Sequence, residues 1–201
     1  MAREARESRR ANAYLSLEEG LTRVRVGDHV FSYRPSGRNA FIVGGIHGPV
    51  DGAAEGLDAF RRTLREAGFR RILLFPVSES EIDTVESAGF RAIQAGSEAF
   101  VEPSTFEPRG KKFADLRQMR NRAMKRYDVT TSELTLEEDA DAIERVWSRW
   151  LGDRPIGHRM VLLVGTPSTD RAYGRRYFAA HAPDRDGPVA FVSLTPGWGG
   201  K

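Results

Sequence analysis

Eight lysines and arginines crowd the stretch from Arg109 to Arg126, RGKKFADLRQMRNRAMKR, against one acid, Asp115. This is a net of +7 in a 201-residue chain whose formal charge is +3, so the remainder sums to −4. Positive charge gathered in one place is the footprint of a surface that faces phosphates, of nucleic acid or of anionic lipid. The residues able to hold such a polyanion are Lys111, Lys112, Arg117, Arg120, Asn121, Arg122 and Lys125.

The spacing within this stretch places it on a helix. After the turn Glu107-Pro108-Arg109-Gly110 no Pro or Gly interrupts it. Phe113, Leu116, Met119, Ala123, Met124 and Tyr127 recur every three to four residues and predict one apolar stripe. Lys112, Arg122, Lys125 and Arg126 fall off the stripe, Arg117 sits at its edge and Arg120 lies inside it. An arginine on a packed face must be paired or must reach a cleft, because an unpaired buried charge is costly. Two readings therefore stand side by side. One is a phosphate-facing surface; the other is a solvated amphipathic helix with one snorkelling arginine.

Other chemistry is sparse. The sequence holds no Gly-x-Ser-x-Gly elbow, His-Glu-x-x-His pair, phosphate loop of the Walker type or Gly-x-Gly-x-x-Gly after a strand. The four histidines (His29, His47, His158, His181) have no metal spacing. His47 stands in a glycine-rich stretch, Gly44 to Gly48, that reads as a loop before a helix; it could bind an anion through backbone N–H groups or serve as a plain connection. Trp147 and Trp150, three apart on a predicted helix, read as core before stacking platform, and Ser104 and Thr105 have no base partner in view. No catalytic residue stands out. With no cysteine, disulfides and thiolate metal sites are excluded, in keeping with a reducing cytoplasm. No apolar run approaches the roughly 20 residues that span a bilayer. The charged opening MAREARESRRANAYL is not a secretory signal, so a membrane would be met from the side.

The elements that must position the basic helix alternate between strand and helix. Val24 to Tyr33 predicts a hairpin turning at Gly27-Asp28, and Ala40 to Val43 a buried strand. A helix follows from about Asp51 to Ala67, then a strand at Arg71–Phe75. Ser78-x-x-Glu81 is a capping box opening a helix with Ile82, Val85 and Ala88. Ala67-Gly68-Phe69-Arg70 and Ala88-Gly89-Phe90-Arg91 are one helix-to-strand turn used twice. A strand is expected over roughly 91–101. Beyond the basic helix come a strand at Val129–Leu136, a capping box at Thr135-x-x-Glu138 and a helix bearing Ile143, Trp147, Trp150 and Leu151. A strand at Arg159–Val164, a helical stretch over Thr169–His181 and a strand at Val189–Leu194 complete the pattern of an α/β protein. The second half has fewer elements than the first, which would leave an open sheet edge.

The run Gly110-Lys111-Lys112-Phe113-x-x-Leu116-Arg117-x-x-x-Asn121-Arg122, after Gly96-Ser-Glu-Ala-Phe-Val101, resembles the C-terminal part of the phosphatidylglycerol lysyltransferases, also called lysylphosphatidylglycerol synthases. Pro49-Val50 with Leu57-Asp-Ala-Phe60-Arg61 upstream, and Trp150-Leu151 and Val189 to Pro196 downstream, fit the same pattern, so the resemblance runs from about Val24 to Pro196. It implies an α/β fold of tandem acetyltransferase-like (GNAT-like) units: residues 1–104 as the first, 105–128 as a basic linker helix, and 129–201 as a partial second unit. It implies an aminoacyltransferase that passes an aminoacyl group from a charged tRNA to phosphatidylglycerol or a related hydroxyl or amine acceptor. The partners would be aminoacyl-tRNA and an anionic phospholipid headgroup, with no cofactor, on the inner face of the membrane. The site residues it carries over are the basic-helix positions above. The sequence departs from the family at Gly45-Ile46, where Asp-Pro is usual, and at His158-Arg159, where an acid is usual. It also stops short of a family segment, Asp-Leu-Met-Arg, that helps form the active site. A non-catalytic polyanion-binding module is the alternative. An acyl-CoA N-acyltransferase is a weaker one, since the nearest approach to its pyrophosphate loop, Arg171-Ala-Tyr-Gly174-Arg-Arg176, lacks the final small residue.

Overall fold

A computed structural model describes residues 12–97, 99, 101–154, 165–167 and 174–195. These fall into two compact units, one drawn from 1–93, 150–175 and 195–201, the other from 94–149 and 176–194.

In the first unit β1 (Thr22–Val26), β2 (His29–Ser36), β3 (Asn39–His47) and β4 (Arg71–Phe75) form one sheet in that order. The first three are antiparallel, and β4 runs parallel to β3. The two residues between β1 and β2 are Gly27 and Asp28, as the hairpin signal predicts, with Gly27 at φ +56°. Helix α1 (Ala53–Glu66) lays Leu57, Phe60 and Leu64 on one sheet face, against Phe31, Ala40 and Ile42. The Phe31 and Phe60 rings stack at 4.6 Å, and Tyr33 meets Phe60 edge-on at 5.8 Å. A short helix, α2 (Ile82–Ser87), adds Val85 and, just past its end, Ala88 to this core.

The repeated turn closes both helices with the same bonds. Phe69 N–H reaches Leu64 C=O and Phe90 N–H reaches Val85 C=O, around Gly68 at φ +91° and Gly89 at φ +79°. This is the left-handed glycine stop that leaves the last carbonyls satisfied. Glu81 accepts from both the backbone N–H and the hydroxyl of Ser78, at 3.0 and 2.6 Å, so the capping box is formed.

The expected glycine loop at 44–48 is instead strand up to His47. Gly44 and Gly45, at φ +77° and +81°, make a bulge: β3 advances four residues (His47 to Val43) where β2 advances two (Val30 to Ser32). Glycine here supplies a conformation other residues adopt only at a cost, which re-aims the strand without ending it. A 3-10 turn at Ala13–Leu17 packs on the bulge, with Ser32 Oγ donating to Ser16 C=O at 3.0 Å.

In the second unit β5 (Thr130–Leu134), β6 (Arg176–His181) and β7 (Pro188–Leu194) form an antiparallel sheet. Ile143 of helix α4 (Leu136–Gly152) packs with Leu134, Tyr177 and Ala179. The expected helix over Thr169–His181 is thus overturned at 176–181: Tyr177 and Ala179 alternate inward between two strands, and pairing on both sides outweighs local pattern. The expected strand over 91–101 is not formed by its described residues, where Ile93 is 79% exposed and no ladder receives the segment. The helix start at Thr135 uses Asp139, not Glu138: Asp139 Oδ2 accepts the Thr135 N–H at 2.9 Å. The predicted strand at Arg159–Val164 and part of the 171–176 loop lie outside the described residues, as does His158.

Candidate phosphate-facing helix

Helix α3 (Ala114–Arg126) carries the cationic stretch, preceded by a 3-10 turn at Lys111–Phe113. Its entry is fixed by backbone chemistry. Gly110 takes φ +75°, and the Arg117 guanidinium reaches back to donate to the carbonyls of Pro108 and Gly110 at 2.9 and 2.8 Å. Phe106 meets Phe113 edge-on at 5.5 Å beside this turn. At the far end Asp128 takes φ +47°, and the Val129 N–H reaches the Ala123 carbonyl. Asp115 in the first turn and Lys125 and Arg126 in the last both suit the helix dipole.

The stripe predicted to be packed is not packed. No residue of α3 is buried. Leu116, Met119, Met124 and Tyr127 are 49%, 69%, 60% and 52% exposed, and Arg120 is exposed with them. The demand that Arg120 find an internal partner therefore lapses, since it is not desolvated.

Lys111, Lys112, Arg120, Asn121, Arg122 and Lys125 all stand exposed, while Arg117 is half-buried against the turn it bonds. Arg117, Asn121 and Lys125, spaced by four, share one row along the helix; Arg122 and Arg126 share another, and Arg120 projects between apolar neighbours. Among the described residues no carboxylate lies within ion-pair distance of these cations. Lys112 and Arg126 instead lie 5.6 Å from the Phe113 and Tyr127 rings.

A hollow of about 470 Å³ opens beside the helix start, with Glu102, Phe106, Glu107, Lys112 and Phe113 among its walls. The Glu102 carboxyl is held below its ordinary range because the Ser104 hydroxyl and N–H both donate to it. Two carboxylates against one ammonium make this hollow a poor seat for phosphate. The outer surface of α3 is the better one.

Other groups named from the sequence are used structurally. His47 is buried on β3, so it is not displayed on a loop. His29 is buried and bonds the Pro49 carbonyl at 2.9 Å. Ser132 Oγ and His181 Nε2 lie 2.9 Å apart on the exposed side of β5 and β6, but among the described residues no carboxylate orients the ring, and the pair reads as a cross-strand bond. Trp147 and Trp150 are half-buried, and the Arg154 guanidinium stands 5.1 Å over the Trp150 ring.

Sequence reasoning did not single out Glu18. Its carboxylate is buried, accepts from the Thr166 N–H and hydroxyl at 3.0 and 2.8 Å, and lies 4.0 Å from the Arg175 guanidinium, which also stacks over Tyr14 at 4.6 Å. No local signal marks it, because its partner Thr166 is 148 residues away. Among the described residues no group of acids and histidines could hold a metal ion, and no helix is long and apolar enough to cross a membrane.

A family model described as "Phosphatidylglycerol lysyltransferase, C-terminal" matches residues 1–201. No curated protein is significantly similar in sequence. Among solved structures, the fold is similar to the C-terminal domain of a putative lysylphosphatidylglycerol synthetase from Agrobacterium fabrum, with TM-score 0.66 and 19% identity over 94% of this chain and 60% of that one. It is also similar to L-PGS from Bacillus licheniformis, with TM-score 0.65 and 18% identity over 94% and 58% of the two chains. A conserved Bacteroides thetaiotaomicron protein of unknown function gives TM-score 0.61 and 17% identity over 94% and 69%. The chain thus spans about 60% of the length of the first two structures.

Proposed function

We propose that this chain, which belongs to the phosphatidylglycerol lysyltransferase C-terminal family, takes part in passing an aminoacyl group from charged tRNA to phosphatidylglycerol or a related hydroxyl or amine acceptor. The observation that carries the proposal is the state of α3. The stretch from Arg109 to Arg126 carries a net charge of +7, and of its cations Arg109 alone has a described carboxylate in reach, Glu107 at 3.0 Å, while those of the exposed helix have none. Cations that the fold does not neutralise favour an external polyanion, and both proposed substrates present phosphates. Lys111, Lys112, Arg117, Arg120, Asn121, Arg122 and Lys125 are the residues assigned to that surface. In this reading residues 1–104 and 129–201 are tandem GNAT-like units and 105–128, with α3, is the basic linker that joins them.

Transfer from an aminoacyl ester asks modest chemistry of the protein. The acceptor oxygen or nitrogen bonds to the acyl carbon, the ester bond to the tRNA ribose breaks, and the acceptor proton ends on the released ribose hydroxyl. What the protein adds is positioning, a donor to the developing oxyanion and a route for that proton. The residues assigned to this chain serve the first of these. A binding module without transfer activity is the second reading, because the residues assigned to α3 serve binding and positioning alone.

The test is transfer of a radiolabelled amino acid from charged tRNA to extracted lipids and to soluble acceptors. Labelled lipid, with loss of label on reversing Arg120 and Arg122 to Glu, supports the transferase. Binding of tRNA without any labelled product supports the module, and neither product nor binding removes both.

A further inference from the structure

We infer that α3 docks on the surface of an anionic bilayer with its apolar stripe inserted among the lipids. The inference rests on the phosphate-facing reading above and narrows it to one partner.

Two features of α3 coincide that a solvated helix would not need together. Leu116, Met119, Met124 and Tyr127 form a continuous exposed stripe, and Arg117, Arg120 and Arg126 border or interrupt it. Exposed apolar side chains in a row mark a surface meant to be covered. A helix with long cations flanking aliphatic residues matches the membrane interface: the aliphatic side enters the headgroup–acyl boundary and the cations stay among the phosphates. An RNA surface would use the cations but gives unstacked aliphatic Leu and Met side chains little to bind. A second copy of the chain would bring two strongly cationic helices face to face, which like charge opposes. Charge complementarity excludes a second copy and the exposed aliphatic side chains disfavour RNA, so an anionic lipid surface is selected.

The chain has no cysteine, so a single label reads one position. Met119→Cys, on the stripe, and Gln118→Cys, on the opposite exposed side, would each carry an environment-sensitive fluorophore. The probes are phosphatidylcholine vesicles with and without phosphatidylglycerol. The label at 119 is expected to brighten and shift blue with phosphatidylglycerol vesicles, with little response at 118 or to phosphatidylcholine alone. The double change Met119→Asn, Met124→Asn, which removes the apolar stripe without changing charge, should lower partitioning onto those vesicles by at least about tenfold while leaving tRNA binding unchanged. The inference is overturned if position 119 ignores phosphatidylglycerol vesicles, if 118 and 119 respond alike, or if the 119 signal follows protein concentration, which would make a second copy the cover. Should vesicles fail while tRNA still binds through Arg120 and Arg122, this inference alone falls. If neither binds, the phosphate-facing reading falls with it.

Discussion

The first unit and helix α3 of the second use arginine in opposite ways. In the first, Arg23 donates to the carbonyls of Ser16, Leu17 and Glu18. Arg61 bonds Asp58 and the Ala88 carbonyl at the end of the next helix. Arg175, with only 3% of its side chain exposed, lies against Glu18, Tyr14 and Thr195. Each of these guanidiniums ties two segments together. In the second unit α3 holds five Lys and Arg in 13 residues, and among the described residues only Arg117 of these is hydrogen-bonded to the chain itself. Density of charge does not separate these cases. What separates them is whether carbonyls and carboxylates of the fold lie within reach, and that is set by tertiary placement.

If the first unit is held by such ties, cutting one should be expensive. The largest effect is expected from Glu18→Ala, which removes the acceptor of Thr166 and leaves the buried Arg175 charge without that neighbour. Removing one member of a buried pair costs about 3–5 kcal/mol, readable in urea unfolding, with Glu18→Gln losing less because it still accepts from Thr166. A loss under about 1 kcal/mol, the scale of a surface pair, would mean that this cluster is not a tie.

Next in size is Gly44→Ala at the bulge of β3. A methyl there would sit 2.7 Å from both Cβ and N of Ser16, at φ +77°. Overpacking and a left-handed alanine together should cost roughly 3 kcal/mol and lower the melting temperature, whereas Gly96→Ala, whose methyl meets nothing within 4 Å, should leave it unchanged. Equal melting of the two variants would break the account of the bulge.

The smallest effect sharpens the comparison inside the second unit, where Arg176 is paired across two strands. Arg176 forks onto Glu133 with bonds of 2.7 and 2.8 Å, both side chains exposed. The hydrogen bond from Arg176 holds the Glu133 carboxyl below its ordinary 4.5. A depressed carboxylate adds stability above its unfolded value and loses it as pH falls through the lower folded value, so the pair weakens only below about pH 4.5. Carboxyl NMR titration should show Glu133 moving back toward 4.5 in Arg176→Ala. An unmoved midpoint would show that the fork is not formed in solution.

Much of this was legible from local pattern. The Gly27-Asp28 turn, the α1 face, the doubled Gly68 and Gly89 stops and the Ser78–Glu81 box all depend on residues within a few positions of one another. The errors fall where distant partners decide. Gly44 and Gly45 read as a loop because glycine usually breaks a strand, yet here β2 pairs across the bulge. Arg176–His181 read as helical because its strand character comes from β5 and β7, 40 or more residues before it in one case and just after it in the other. The cations of α3 could be counted from sequence, but not that they would have no described carboxylate within reach. Nor could the exposure of Met119 and Met124 be read, because 3.6-residue periodicity marks an apolar stripe without saying what covers it.

The central claim is that the α3 cations are held for an external polyanion and not for the fold. Binding to phosphatidylglycerol vesicles and to charged tRNA, followed across salt concentration for the wild type, Arg120→Glu and Arg122→Glu, tests it most directly. The account predicts that each reversal weakens binding and lowers the salt slope by about one unit, with thermal melting unchanged. A slope that stays constant while the melting temperature drops would show that these arginines serve the scaffold, and would contradict the claim.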